Sequence, residues 1–269
     1  MQRGKRYAAQ FMQGAGVYAS VTPVPLHNKA AAVLYVGSSN VALHEVLSQL
    51  QSLPLHEIVL VMANSTKEMF TLAGSLPNTI ITHLPEEVDP DVGRALGAKL
   101  TSADTVVFVD GDQAVNASNL ARFLWECDSR VDVALNDLSP RFGLFYQRGG
   151  VERFFEFLNM SLNRDDLRMN SMSVLPYAVS RHALDTLGAA VLSVPVKAHA
   201  LAILKGLRIG MADSVAARMP QYGTSFGDEW KKIAGDHMEA WREAMSSRGG
   251  RLHFSDVNRN RRILEDWEI

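Results

Sequence analysis

Apolar runs of strand character alternate with helix-spaced apolar positions along the first half of this chain, and each run ends in a short polar loop. Ala31-Ala32-Val33-Leu34-Tyr35-Val36 stops at Gly37-Ser38-Ser39-Asn40. Leu43, Val46, Leu47, Leu50 and Leu53 then recur at helical spacing until Pro54 ends the helix. Glu57-Ile58-Val59-Leu60-Val61-Met62 reads as a second strand, closed by Ala63-Asn64-Ser65-Thr66, with a helix from Lys67 to Ala73. Thr79 to His83 is a third, shorter strand, and Asp91 to Leu100 a helix with small residues on one face. Val106-Val107-Phe108-Val109 forms the next strand and runs into Asp110-Gly111-Asp112; a helix over Ala117 to Cys127 and a strand over Val131 to Leu135 follow. This order predicts βαβ units, and hence an α/β fold with a mostly parallel sheet covered by helices.

The second half is more helical. Phe154, Phe155, Phe157, Leu158 and Leu162 mark one helix face, and Ser173 to Ser180 reads as extended, with a helix starting at Arg181. Val196 to Lys205 is a predicted helix, Leu207 to Met211 a last strand, and Asp228 to Ser246 a long amphipathic helix. The expected organisation is a basic N-terminal arm over 1–27, a main α/β domain over 28–225, and a C-terminal helix with an arginine-rich tail over 226–269.

Composition narrows the function classes. With 269 residues, 47% hydrophobic, the chain is long enough for one large α/β domain or two small ones. A net charge of -2 argues against nucleic acid as a partner. The single cysteine, Cys127, excludes an intrachain disulfide and a zinc site of several thiolates. No apolar run approaches a membrane span, and Gln10, Gln13 and Gly14 interrupt any signal-peptide pattern, so a cytoplasmic protein is expected. No acidic residue precedes Glu45, while Arg3, Lys5, Arg6 and Lys29 do; this arm offers peripheral contact with anionic lipid or an acidic partner, or packs as a poorly ordered leader. Trp230, Trp241 and Trp267 offer a surface for a homodimer.

Asp110 and Asp112 carry the chemistry. A buried strand that ends in two carboxylates presents them at the carboxyl edge of a sheet, where open α/β sheets bind ligands. Two hard oxygen donors there suit Mg²⁺ or Mn²⁺ with a substrate diphosphate completing the shell. The same tripeptide also suits a capped turn, with Gly111 bending and an aspartate capping the next helix.

The ordered loops resemble family-2-type glycosyltransferases with a GT-A fold, in particular a bacterial subgroup whose loops read Asn-Gly-Ser-Thr-Asp, Val-Gly-Arg-Ala, Asp-Gly-Asp and Asn-Asp-Leu-Ser. This chain has Ala63-Asn64-Ser65-Thr66-Lys67, Val92-Gly93-Arg94-Ala95, Asp110-Gly111-Asp112 and Asn136-Asp137-Leu138-Ser139. Leu162-Asn163-Arg164, Asn170-Ser171 and Gly235-Asp236-His237-Met238-Glu239-Ala240 extend the series. The resemblance implies a GT-A-like, Rossmann-like three-layer α/β/α sandwich with a helical C-terminal extension. It implies a hexosyltransferase-type enzyme that moves a sugar from a UDP- or GDP-linked donor to an unidentified acceptor hydroxyl or amine, with inversion.

On that reading Asp110, Gly111 and Asp112 bind the donor, Asp110 and Asp112 hold the metal with His237 as a further ligand, and Arg94 reaches a phosphate or the base. Asn40, Asn64 and Ser65 contact base or ribose, and Asp137 or Asp236 is the general base. Arg248, Arg251, Arg259, Arg261 and Arg262 either close over the diphosphate or are solvated, and His83 and His199 are packing or surface residues. The family's acid in the second loop is replaced by Asn64 and Lys67, and the first loop lacks the usual proline. Two alternatives follow: a sugar-phosphate nucleotidyltransferase, for which Gly37-Ser38-Ser39-Asn40 is a poor phosphate loop, and a relative that binds a nucleotide or partner without turnover.

Overall fold

The computed structural model describes residues 21–38, 42–217, 228–254 and 256, together with the single positions 6, 7, 10 and 13. In chain order the elements are β1 (Ala30–Val36), α1 (Leu43–Gln51), β2 (Glu57–Ala63), α2 (Lys67–Gly74) and β3 (Thr79–Leu84). Next come α3 (Pro90–Leu100), β4 (Thr105–Asp110), α4 (Ala117–Ser129), β5 (Val133–Asn136) and α5 (Gly150–Ser161). The last are β6 (Tyr177–Ser180), α6 (Arg181–Leu187), α7 (Pro195–Leu204), β7 (Ile209–Asp213) and α8 (Asp228–Arg248).

The strands form one sheet in the order β3-β2-β1-β4-β6-β5-β7. All pairs are parallel except those made by β6, which runs against β4 and β5. Side chains alternate across the sheet. Val33, Val106, Phe108, Val133 and Leu135 face one apolar layer with α3, α5, α6, α7 and α8. Leu34, Leu60, Val107, Val109 and Ala134 face a second layer with α1, α2 and α4. The expected three-layer α/β/α sandwich is therefore observed.

Local chemistry explains where the elements begin and end. Asp89 caps α3 by accepting from Asp91 N at 2.9 Å, and Pro90 opens the helix, where its missing N–H costs nothing. A Cβ on Gly93 would lie 2.3 Å from the Tyr35 ring, and one on Gly97 would lie 2.4 Å from Val33 Cγ1. The small face of α3 thus seats the helix directly on β1. The strand expected from Val131 begins only at Val133, because Val131 N is still bonded to Glu126 O at the end of α4. The extended segment from Ser173 becomes a strand only at Tyr177, because Val174 N bonds Ser171 O and Leu175 O takes a bond from Asn136 instead.

Residues 21–27, read from sequence as part of a loose arm, pack on the domain. Thr22 is buried and its N–H donates to Ser52 O at 2.6 Å, while Val24 and Leu26 pack on the second layer. Most of the basic arm, with Arg3 and Lys5, lies outside the described residues. Among the described residues no helix is long and apolar enough to cross a membrane.

Candidate active site

The strand order reverses direction between β1 and β4, the place where open α/β sheets leave a crevice at their carboxyl ends. Tyr35 is the register partner of Asp110, so the end of β1 lies beside the acid pair. Asp110 is two residues after Phe108 and projects to the same side of the sheet, the side covered by α3 and α8. Phe108 stacks on Tyr177 of β6 with ring centroids 4.9 Å apart and forms the floor below it. Asp110 Oδ1 accepts from Asp112 N at 2.9 Å across a buried Gly111. The bond closes a capped turn, with Asp110 half-buried and Asp112 exposed.

A charged cluster joins α3 to α8 on that side. Arg94 pairs with Asp91 one turn earlier, with both side chains largely enclosed. Lys232 bonds Asp89 and lies 3.4 Å from Asp91. Burial pushes the Asp89 carboxyl up, but the bonds from Lys232 and from Asp91 N outweigh it and hold it below its ordinary value. Asp236 also belongs here. Burial first, then Asp91, Glu239 and Asp89, push its carboxyl up to about 6, against the opposing pull of Lys232. Arg94 and Asp91 are also felt by the buried Tyr177 hydroxyl, whose pKa burial raises. The structure thus pairs Arg94 with Asp91, whose charge also acts on the sequence-distant Asp236, and adds Asp89, Asp91 and Lys232 to the candidates. The only sequence sign of that addition is the Asp89-Pro90 helix start.

The loop after β5 is held from below. Asn136 is 1% exposed, its amide donating to Val215 O at 3.2 Å and accepting from Val215 N at 3.0 Å. Both ends of that amide are occupied by backbone, so Asn136 is a clamp for the chain after β7. Asp137 N donates to Asp213 O at 2.7 Å. Its carboxylate Oδ1 accepts from Ser139 N at 3.0 Å and Asn170 Nδ2 at 3.2 Å.

The remaining candidates separate. Asn64 is exposed at the end of β2 with φ of 46°, and its N–H donates to Leu84 O at 3.2 Å. Ser65 Oγ lies 3.4 Å from Val36 O, between the ends of β1 and β2. Asn40 lies outside the described residues, as do Arg259, Arg261, Arg262 and Trp267. His237 is fully buried; Nδ1 donates to Ile233 O at 2.7 Å, and the ring packs on Phe154, Phe155 and Trp241. Its surroundings are aromatic, not those of a metal ligand. Among the described residues no group of three or more His, Cys, Asp or Glu is disposed to hold a metal. A two-carboxylate site completed by diphosphate oxygens is the arrangement the donor set fits. Arg248 donates to Leu162 O at 3.0 Å and Arg251 to Phe254 O at 3.2 Å, so both secure the chain end. His83 packs edge-on against Phe70, and Cys127 is buried with its thiol pKa pushed up by burial.

A polar cavity of about 240 Å³ begins at Gln113, the residue after Asp112, and is lined also by Asn116, Asn119, Arg141 and Ser214. A second, mainly apolar cavity of about 850 Å³ lies against α4 between Pro23, Val24, Trp125 and Ala212.

Solved structures share this architecture. A mannosyltransferase from Pyrobaculum calidifontis, in complex with GDP-Man and Mn²⁺, superposes with a TM-score of 0.55 at 15% identity over 89% of this chain and 71% of that one. Glucosyl-3-phosphoglycerate synthase from Mycobacterium tuberculosis, in complex with UDP, gives 0.58 at 15% identity over 80% of both chains. The same synthase with Mn²⁺, UDP-glucose and phosphoglyceric acid gives 0.55 at 14% identity over 87% and 90%. This chain has the GT-A fold. No family model and no curated protein matches it by sequence.

Proposed function

We propose that this GT-A protein transfers a sugar from a UDP- or GDP-linked donor to an acceptor hydroxyl or amine, with inversion. The carrying observation is the Asp110–Asp112 turn at the strand-order reversal, on the side of the sheet covered by α3 and α8, the helices that carry Arg94 and Asp236. Support also comes from the neighbours of like fold, whose complexes contain GDP-mannose or UDP-glucose with Mn²⁺. Asp110 and Asp112 would hold Mg²⁺ or Mn²⁺, which when bound neutralises charge on the departing diphosphate.

The protein's own side chains divide the remaining work. Arg94 gives Asp91 part of its five-donor guanidinium and keeps other N–H groups for a phosphate. Asp137 already accepts two N–H bonds on Oδ1, and Oδ2 remains to accept from a sugar hydroxyl. Asp236, raised to about 6, is ionised at neutral pH yet basic enough to take a proton, and it is the general base. The acceptor oxygen bonds to the anomeric carbon as the carbon–oxygen bond to the diphosphate breaks. The electron pair leaves with the diphosphate and the acceptor's proton passes to Asp236.

Release of UDP from UDP-glucose, and of GDP from GDP-mannose, tests this with Mn²⁺ or a chelator present. Asp112→Ala should lower release at least about a hundredfold, and full turnover in that variant removes the metal assignment. One observation favours a second reading, binding without turnover: Asn64 and Lys67 stand where the resembling family carries an acid. Tight, Mn²⁺-dependent UDP binding with no release or transfer on any donor would select it.

A further inference from the structure

Three polar side chains are sealed in the apolar layer beneath the Asp137 loop: Asn159, Asn170 and His199, each 0% exposed. Their hydrogen bonds form one line. His199 Nε2 lies 2.8 Å from Asn159 Oδ1. Asn159 Nδ2 donates to Arg168 O at 2.8 Å and to Asn170 O at 3.0 Å. Asn170 Oδ1 accepts from Leu138 N at 2.9 Å, and its Nδ2 donates to Asp137 Oδ1 at 3.2 Å. Both amide hydrogens of Asn159 are committed to carbonyls, so its oxygen must accept and His199 must carry its proton on Nε2. The donors step from His199 to Asn159, from Asn159 to the Asn170 backbone carbonyl, and from the Asn170 amide to Asp137, with a branch from Asn159 to Arg168 O. Among the described residues His199 Nδ1 has no hydrogen-bond partner, so the line ends there.

Each member costs free energy to bury, and each is held by the next. The line runs from α7 through α5 to the loop after β5, and Asn170 bonds Asp137, Leu138 and Ser139 of that loop. We propose that Asn170, Asn159 and His199 are positioning residues that fix the Asp137 carboxylate for recognition of the donor's sugar. The proposal rests on the glycosyl-transfer reading and adds to it a determinant of sugar binding that touches no ligand itself.

The test compares affinities, by calorimetry with Mn²⁺, for UDP against UDP-glucose and for GDP against GDP-mannose. The wild-type chain should bind at least one sugar nucleotide more tightly than its diphosphate, and Asp137→Ala should remove that increment. Asn170→Ala and His199→Phe should cut it about tenfold while leaving diphosphate affinity within about twofold. His199→Gln, whose amide can still donate to Asn159, should retain it. If Asn170→Ala does not fold, the His199→Gln and His199→Phe pair decides. An increment equal in wild type, Asn170→Ala and His199→Phe overturns the proposal, as does the absence of any increment in wild type or a parallel loss for diphosphate and sugar nucleotide. Failure of the wild-type chain to bind either diphosphate overturns the glycosyl-transfer reading itself, a different result.

Discussion

At Asp236, the burial that suits the carboxyl to proton transfer also weakens the fold as pH rises. Its folded value is about 6 against an ordinary 3.8, so between these the folded state holds more protons than the unfolded one. The contribution of Asp236 to stability is fully present below pH 3.8 and is lost as pH rises through about 6. Asp236→Asn should raise the melting temperature at pH 8, leave it nearly unchanged at pH 3.5, and lower turnover about a hundredfold or more. Scanning fluorimetry at both pH values, with UDP release, checks this; unchanged turnover rejects the base. His199 has the opposite sign. Burial pushes it down to about 3 from 6.5, so its neutral form stabilises the fold above 6.5, and that contribution is lost as pH falls towards 3. His199→Gln should flatten the acid side of the melting profile over that window. The placement of Asp110 and Asp112 at a strand end was legible because the strand and both acids are contiguous. The roles of Asn136, Asn159 and Asn170 were not, because an amide in sequence carries no mark of whether backbone or ligand will occupy it.

Among the elements, α3 places the most chemistry, because its N-terminal turn carries Asp91 and Arg94 while its small face rests on β1. Gly93→Ala forces a methyl into the Tyr35 ring, and Gly97→Ala one into Val33. Each should destabilise by about 1–3 kcal/mol in denaturant unfolding. Gly93→Ala, nearer Arg94, should also weaken UDP binding more than Gly97→Ala does; equal effects would show that α3 does not carry the phosphate contact. The small residues of this helix were visible in the sequence, and so were most helices and parallel strands, from period alone. The antiparallel β6 was not, because its 4 residues show no direction and pair between strands placed by distant segments.

For the whole molecule, ligand linkage offers the broadest check. UDP with Mn²⁺ at about a hundred times its dissociation constant should stabilise the fold by about 2.7 kcal/mol, seen as a rise in melting temperature that a chelator reverses. No shift with UDP or GDP under these conditions would count against the nucleotide site. The alternating pattern and the acid-ended strand were enough, read from sequence alone, to specify a layered α/β sheet with carboxylates at its edge, because strand and helix periods and a strand's terminal residue are local properties. Only the packed layers decided that Lys232 meets Asp89 across 143 positions and that His199 meets Asn159 across 40. Those meetings depend on how α8 and α7 settle against α3 and α5, and burial, not sequence spacing, then sets the charge state of Asp236 and the direction of the bonds that reach Asp137.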